Sequence, residues 1–319
     1  MPAAVESMAY VGEVPWHGLG NDVEEGSTPE QMRIAAGLDW DVGLQPLKYT
    51  VTVDGKRRER TVKEKALIRM DTLEKLSLVG PRYVPFQNHE ILGFFREYVA
   101  AGDMSIETAG SLNGGRQIWA LAKMNKSFQL GSNTQPDVNH GYVLLMNPHE
   151  YGKSMIAKFT MVRAVCWNTI MAALRGEGDS VKLWHIGDGF TEEVQQEAKS
   201  RLGIARERMD AMEENANKLT LIEITPEKAI AMATKYFGGD TGAPNKPAQR
   251  VIDLFNGQGR GSLLPSARGT AWGFLNAASE FTDHFYGRDR ASRIHRAWVG
   301  SGDVLKRRVM AELLVVEGN

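Results

Sequence analysis

Three segments of the chain share one plan: two extended arms joined by a short turn of Asp, Asn, Gly or Pro residues. In "KYTVTVDGKRRERTVKEKALIRMD" the first arm alternates, the chain turns at Asp54-Gly55, and the second arm resumes extended. "MSIETAGSLNGGRQIWALAKM" repeats the plan about Asn113-Gly114-Gly115, and "GYVLLMNPHEYGKSMIAKFTMV" repeats it between Asn147-Pro148 and Gly152. Arms joined by so few residues must pair antiparallel, because a parallel pair needs a crossover of a dozen residues or more. The segments therefore predict an α+β fold, an antiparallel hairpin-rich sheet with backing helices, and disfavour a doubly wound parallel sheet.

Helical signals lie between and after the hairpins. "STPEQMRIAAG" predicts a short helix over about 29 to 36, with Ser27 or Thr28 as cap, Pro29 at the first position, Gln31 closing a capping box and Gly37 as stop. "NHEILGFFREYVAA" (88 to 101) carries apolar residues at helical spacing after Asn88. "LSLVGPRYVPFQ" contains a further strand, and "LGSNTQPDVNHG", poor in apolar residues, predicts a mobile loop. The stretch "KFTMVRAVCWNTIMAALRG" (158 to 176) reads as a strand turning into a helix near Trp167. From about residue 190 the pattern becomes helical, first over "TEEVQQEAKSRLGIARERMDAMEENANKLT", weakened at Gly203, and then in four shorter helices. Two parts follow: a hairpin-sheet domain over 1 to 189 and a helical region over 190 to 319, separate or packed as one unit.

Composition narrows the class. With 319 residues, 42% hydrophobic and 24% charged, the chain can bury a large core and is not of the disordered kind. A single cysteine, Cys166, forms no internal disulfide. The first residues lack a signal-peptide pattern and no apolar run is long enough to cross a membrane, so a cytoplasmic protein with no membrane partner is expected. The net charge of −1 conceals basic clusters at "KRRER" (56 to 60), "RDRASRIHRAW" (288 to 298) and "KRR" (306 to 308). Such runs are phosphate-facing patches or solvated faces.

Several chemistries are open to this chain. Cys166 at a helix start resembles an activated nucleophile, but no motif places His140, His149 or His185 beside it, and packing is the ordinary role of a free cysteine. Glu280, Asp283 and His284 in "EFTDHF", or His185 and Asp188 in "WHIGD", offer metal-ligand types without a metal motif. The glycine-rich "GQGRGS" and "GSLNGGRQ" lack the ending of a P-loop, so nucleotide hydrolysis has no support and no cofactor is expected. Single-stranded nucleic acid calls for cations beside rings on which bases stack, and such pairs recur along the chain. The candidates are Lys56, Arg57, Arg58, Arg82, Arg116, Lys158 and Arg163 for phosphates, with Tyr83 and Trp167 for bases. Cores bordered by arginines produce the same pairs.

"PWHGLG" with "AAGLDWDV", "YVPFQNHEILGFF", "MVRAVCWNTIMAAL" and "TAWGFLNAASEFTDH" resemble, in this order, the landmarks of phage/plasmid-like proteins built on a domain of unknown function. The resemblance runs from Trp16 to His284. It implies a phage or plasmid home and no settled activity. In size and layout the family is similar to phage single-strand annealing proteins, which assemble into rings or filaments around a curved hairpin sheet. The expectation is a non-enzymatic, homo-oligomeric protein that binds and anneals single-stranded DNA in recombination or replication without ATP. The alternatives are a metal-dependent nuclease or hydrolase built on Glu280, Asp283 and His284, and an interaction protein aimed at a host factor.

Overall fold

The computed structural model describes residues 5–12, 19–163, 168–170, 180–202, 205–238, 243–287 and 293–315. Its strands are β1 (Val5–Tyr10), β2 (Asn21–Asp22), β3 (Val42–Val53), β4 (Lys56–Arg69), β5 (Lys75–Val79), β6 (Met104–Leu112), β7 (Gln117–Leu130), β8 (Asp137–Pro148), β9 (Met155–Arg163), β10 (Asn168–Ile170) and β11 (Ser180–Leu183). Its α-helices are α1 (Pro29–Ala35), α2 (Asn88–Gly93), α3 (Arg96–Ala100), α4 (Glu192–Leu202), α5 (Ala205–Leu221), α6 (Pro226–Phe237), α7 (Lys246–Asp253), α8 (Ala271–Glu280), α9 (Arg293–Val299) and α10 (Ser301–Val315). One sheet has the order β10-β9-β8-β7-β6-β1-β2 with β11 also on β9, and a second has the order β3-β4-β5. The fold is α+β and its sheets are mostly antiparallel, with a helical C-terminal region.

The chain divides into two compact units: residues 1–123, 143–158 and 180–202, and residues 124–142, 159–179 and 203–319. Helix α4, which the sequence groups with the C-terminal region, counts with the first unit. The core of that unit gathers Trp40, Leu67, Phe86, Phe94, Phe95, Ile118 and Leu145, and α1, α2 and α3 contribute to it. In the second unit α8 is buried at every position. Phe274 meets Phe255 edge-on at 5.7 Å, and Phe281 meets Phe237 at 5.2 Å.

All three hairpins form; the first two turn at their Asp-Gly and Asn-Gly-Gly residues, whereas in the third β8 runs on through Asn147 and Pro148, which the sequence places at the start of the loop. Asp54 and Gly55 both adopt positive φ (51° and 73°), the mirror-image turn whose twist suits a two-residue hairpin. Thr28 caps α1, Gln31 closes the box, and Gly37 follows at φ 65°. Other expectations are corrected. The helix over 88 to 101 is two short helices, α2 and α3. Asn88 does not cap: it is buried, and its side-chain amide donates to the Trp40 carbonyl at 2.9 Å, while Gln87 takes the cap position and its N–H donates to Glu90 Oε2 at 2.7 Å.

The loop expected to be mobile shrinks to 131–136, because Asp137 and Asn139 are buried strand residues. Asp137 accepts from Ser266 Oγ (2.7 Å) and Trp272 Nε1 (2.9 Å), two bonds that sequence spacing cannot disclose. Residues 168–170 form a strand, with Asn168 opposite Arg163, where a helix start was expected. The β-branched Thr169 and Ile170 favour that conformation. Cys166 and Trp167 lie outside the described residues.

Candidate nucleic-acid interface

Beyond the end of β5, strands β3 and β4 continue with no third strand among the described residues and make a two-stranded arm. Val79, the last residue of β5, stands opposite Lys65; on the turn side of that point the ladder is Lys48–Thr61, Tyr49–Arg60, Thr50–Glu59, Val51–Arg58, Thr52–Arg57 and Val53–Lys56. Every side chain over 48–53 and 56–61 is exposed, so neither face of this stretch is covered.

Residues directly opposite one another share a face, and faces alternate along each strand. One face therefore carries Tyr49, Val51 and Val53 beside Arg60, Arg58 and Lys56, and the other carries Lys48, Thr50 and Thr52 beside Thr61, Glu59 and Arg57. On the second face the Lys48 ammonium bonds Glu59 Oε1 at 2.6 Å. The first face has no acidic residue, and its three cations have no carboxylate partner among the described residues. Its aromatic member, Tyr49, is 50% exposed.

The same unit holds a cavity of about 250 Å³ at the root of the arm. Its walls are the turn Gly80–Tyr83, the loop Tyr151–Lys153 and the segment Trp184–Ile186. Pro81 sits at the second position of the turn, which closes through the Tyr83 N–H donating to the Gly80 carbonyl at 3.1 Å and leaves Arg82 exposed. The Tyr151 N–H donates to Ser77 Oγ at 3.3 Å, tying its loop to β5, and the Val84 N–H donates to the His185 carbonyl at 2.9 Å.

Tyr151 (68% exposed) and Trp184 (56%) are the exposed rings of the cavity. Tyr83 and His185 form its buried side. They stack at 4.8 Å and 14°, and the column continues through Phe86 (4.2 Å from His185), Phe190 (5.1 Å) and Phe94 (6.3 Å) into the core. Burial, then the charge of Glu150, pushes the Tyr83 phenol up. Burial also pulls His185 down to about 4, against the Val84 and Pro148 carbonyls that favour its charged form. Tyr83 Oη is buried without a hydrogen-bond partner among the described residues.

The sequence-predicted residues thus separate. Lys56 and Arg58 share the cationic face of the arm, whereas Arg57 points from the other face. Arg82 lies at the cavity with Tyr83, but Tyr83 is buried in the ring column and offers no open face for a base to stack on. Arg116 is exposed in the β6–β7 turn and lines neither feature. Lys158 is 3% exposed on β9, with no free surface toward a backbone phosphate. Arg163 ends β9; its side chain and the whole of Trp167 lie outside the description.

Sequence reasoning named Arg60 only as part of the basic run at 56 to 60, and passed over Tyr49 on the arm and Tyr151, Lys153 and Trp184 at the cavity. The arm residues had a signal: the two-residue turn fixes the register, and register fixes the faces. The cavity residues come from three distant segments and had none.

The acidic alternative is placed differently. Glu280 is buried, its carboxyl pushed up by burial, and its Oε2 accepts the Arg260 N–H at 3.0 Å, so "GQGRGS" folds onto it. Asp283 accepts from the buried Lys306 ammonium at 2.7 Å. Among the described residues no three His, Cys, Asp or Glu side chains gather in a metal-binding group, and no helix is long and apolar enough to cross a membrane.

Comparison with curated proteins and with solved structures gives no match. A family profile described as "Domain of unknown function (DUF932)" matches residues 75–298, which include the cavity, β6 to β11 and most of the helical region. By that match, which covers well over half of its length, the chain belongs to the DUF932 family.

Proposed function

We propose that this protein binds and anneals single-stranded DNA, as a non-enzymatic, homo-oligomeric component of phage or plasmid recombination or replication that needs no ATP and works in the cytoplasm. The observation that carries this reading is the outer face of the arm, where Lys56, Arg58 and Arg60 alternate with nothing acidic and stand directly across from Tyr49, Val51 and Val53. Cations on one strand bind successive phosphates, and the ring and methyl groups opposite take the base side of an unpaired chain. A duplex hides its base faces and offers such a surface only its backbone and groove edges. The ion pair between Lys48 and Glu59 leaves the second face less attractive to a polyanion, so the arm has one preferred side.

The test is a titration of labelled, unstructured oligonucleotide at several salt concentrations, with duplex as competitor. Single-strand binding that weakens steeply with salt supports the reading; absence of binding at low salt overturns it. Mass photometry with and without the oligonucleotide tests assembly, for which rings or filaments are the expected product.

A further inference from the structure

We propose that the cavity at the root of the arm is a subsite for one unstacked nucleotide of single-stranded DNA, its base lying against Trp184 and Tyr151 and its phosphate on Arg82. This rests on the reading above and assigns a specific task to a second place in the same unit. Two large rings left exposed on neighbouring walls of one concavity form an apolar surface with flat faces, the surface an unstacked base covers best.

The charge fits. Arg82 is exposed and has no ion-pair partner among the described residues, and Glu150, next to the lining in sequence, is held by Lys153. Size fits as well: about 250 Å³ falls just below the roughly 300–1,000 Å³ of drug-sized ligand sites, room for one base and not for a run of them.

The buried side of the cavity is fixed in place, because Tyr83 and His185 stack at 4.8 Å and continue into the column of core rings. The position is also suited to the task. Gly80 directly follows Val79, which stands opposite Lys65 where the arm leaves the three-stranded sheet, so one DNA chain can engage arm and cavity together.

The experiment uses the full chain and oligo-dT. Anisotropy of a labelled oligomer gives affinity, and tryptophan emission with unlabelled oligomer reports on the ring. Stacking on Trp184 quenches emission in the wild type, and Trp184→Phe keeps most of the affinity while losing that quench. Trp184→Ala and Arg82→Ala, both surface changes that leave the melting temperature in place, each lower affinity by roughly tenfold. Unchanged affinity in both alanine variants, with the wild-type quench retained in Trp184→Phe, overturns the subsite while oligonucleotide binding through the arm stands. If the wild type binds no oligonucleotide at low salt, the broader reading fails and the subsite fails with it.

Discussion

Lys48 and Glu59 join across the arm at 2.6 Å, on the face opposite Lys56, Arg58 and Arg60. This single pair makes a ribbon of mixed charge one-sided, since it neutralises the acid nearest to the exposed cations. Asymmetry of this kind is what the proposed contact with a polyanion requires.

Replacing the cations singly separates the two faces. Arg58→Ala should weaken oligonucleotide binding more than Arg57→Ala, although the two are adjacent in sequence, because their side chains leave opposite sides of β4. Anisotropy titrations of both variants at one salt concentration check this, and equal losses would show that the face does not matter.

Acid should destabilise the first unit before its carboxylates begin to protonate. His149 is wholly buried, with Nε2 3.2 Å from Asn88 Oδ1; burial, with the charge of His185 adding to it, pulls its pKa from 6.5 to about 3. His185 is pulled to about 4. For both rings the folded value lies below the unfolded one, so the unfolded chain binds the extra protons. Their contribution is complete above 6.5 and is lost as pH falls from 6.5 toward the folded values, on the order of 1.4 kcal/mol per unit of pH for each ring. Urea midpoints measured between about pH 7 and pH 5 should fall steadily, and His149→Gln should flatten the trend.

Arg69 anchors the inner end of β4. Its guanidinium lies 4.3 Å over the Trp40 ring, and it pairs with Asp71 at 2.7 Å and with Glu6. Arg69→Ala removes the stacked cation from two carboxylates that water reaches, for an expected loss of about 1–2 kcal/mol by denaturant unfolding. A loss close to zero would mean that solvent replaces the guanidinium.

In the second unit, Lys306 and Asp283 form a buried pair. Asp283→Ala takes the carboxylate from a buried ammonium and should cost about 3 kcal/mol, with or without divalent metal. A metal-ligand role predicts instead that added metal stabilises the wild type and not the variant. Gly273→Ala should be at least as damaging, because its Cβ would stand 1.8 Å from the Ala267 carbonyl oxygen.

Much of the fold is legible in the sequence because turn chemistry is local. Asp54-Gly55 and Asn113-Gly114-Gly115 declare their hairpins, and Thr28 with Gln31 declares a helix start. What escaped depends on partners far along the chain. Asn88 looks like a cap until the Trp40 carbonyl claims it, and "PDVNHG" looks like loop until Ser266 and Trp272 bury Asp137. The same holds for function. The basic tip was visible, and its division into faces follows from register; the cavity depends on Tyr151 and Trp184 meeting Arg82, three positions with no common motif. Tyr83, chosen because it adjoins Arg82, belongs to the ring column that supports the cavity.

The most direct test of the central claim compares the salt dependence of oligonucleotide binding in the wild type and in the triple variant Lys56→Ala, Arg58→Ala, Arg60→Ala. Each phosphate contact on single strands contributes a slope of about −0.7 in log K against log salt, so loss of three contacts should make the slope shallower by about 2 and weaken binding at low salt. An unchanged slope and affinity would contradict the assignment of the arm as the DNA-binding face.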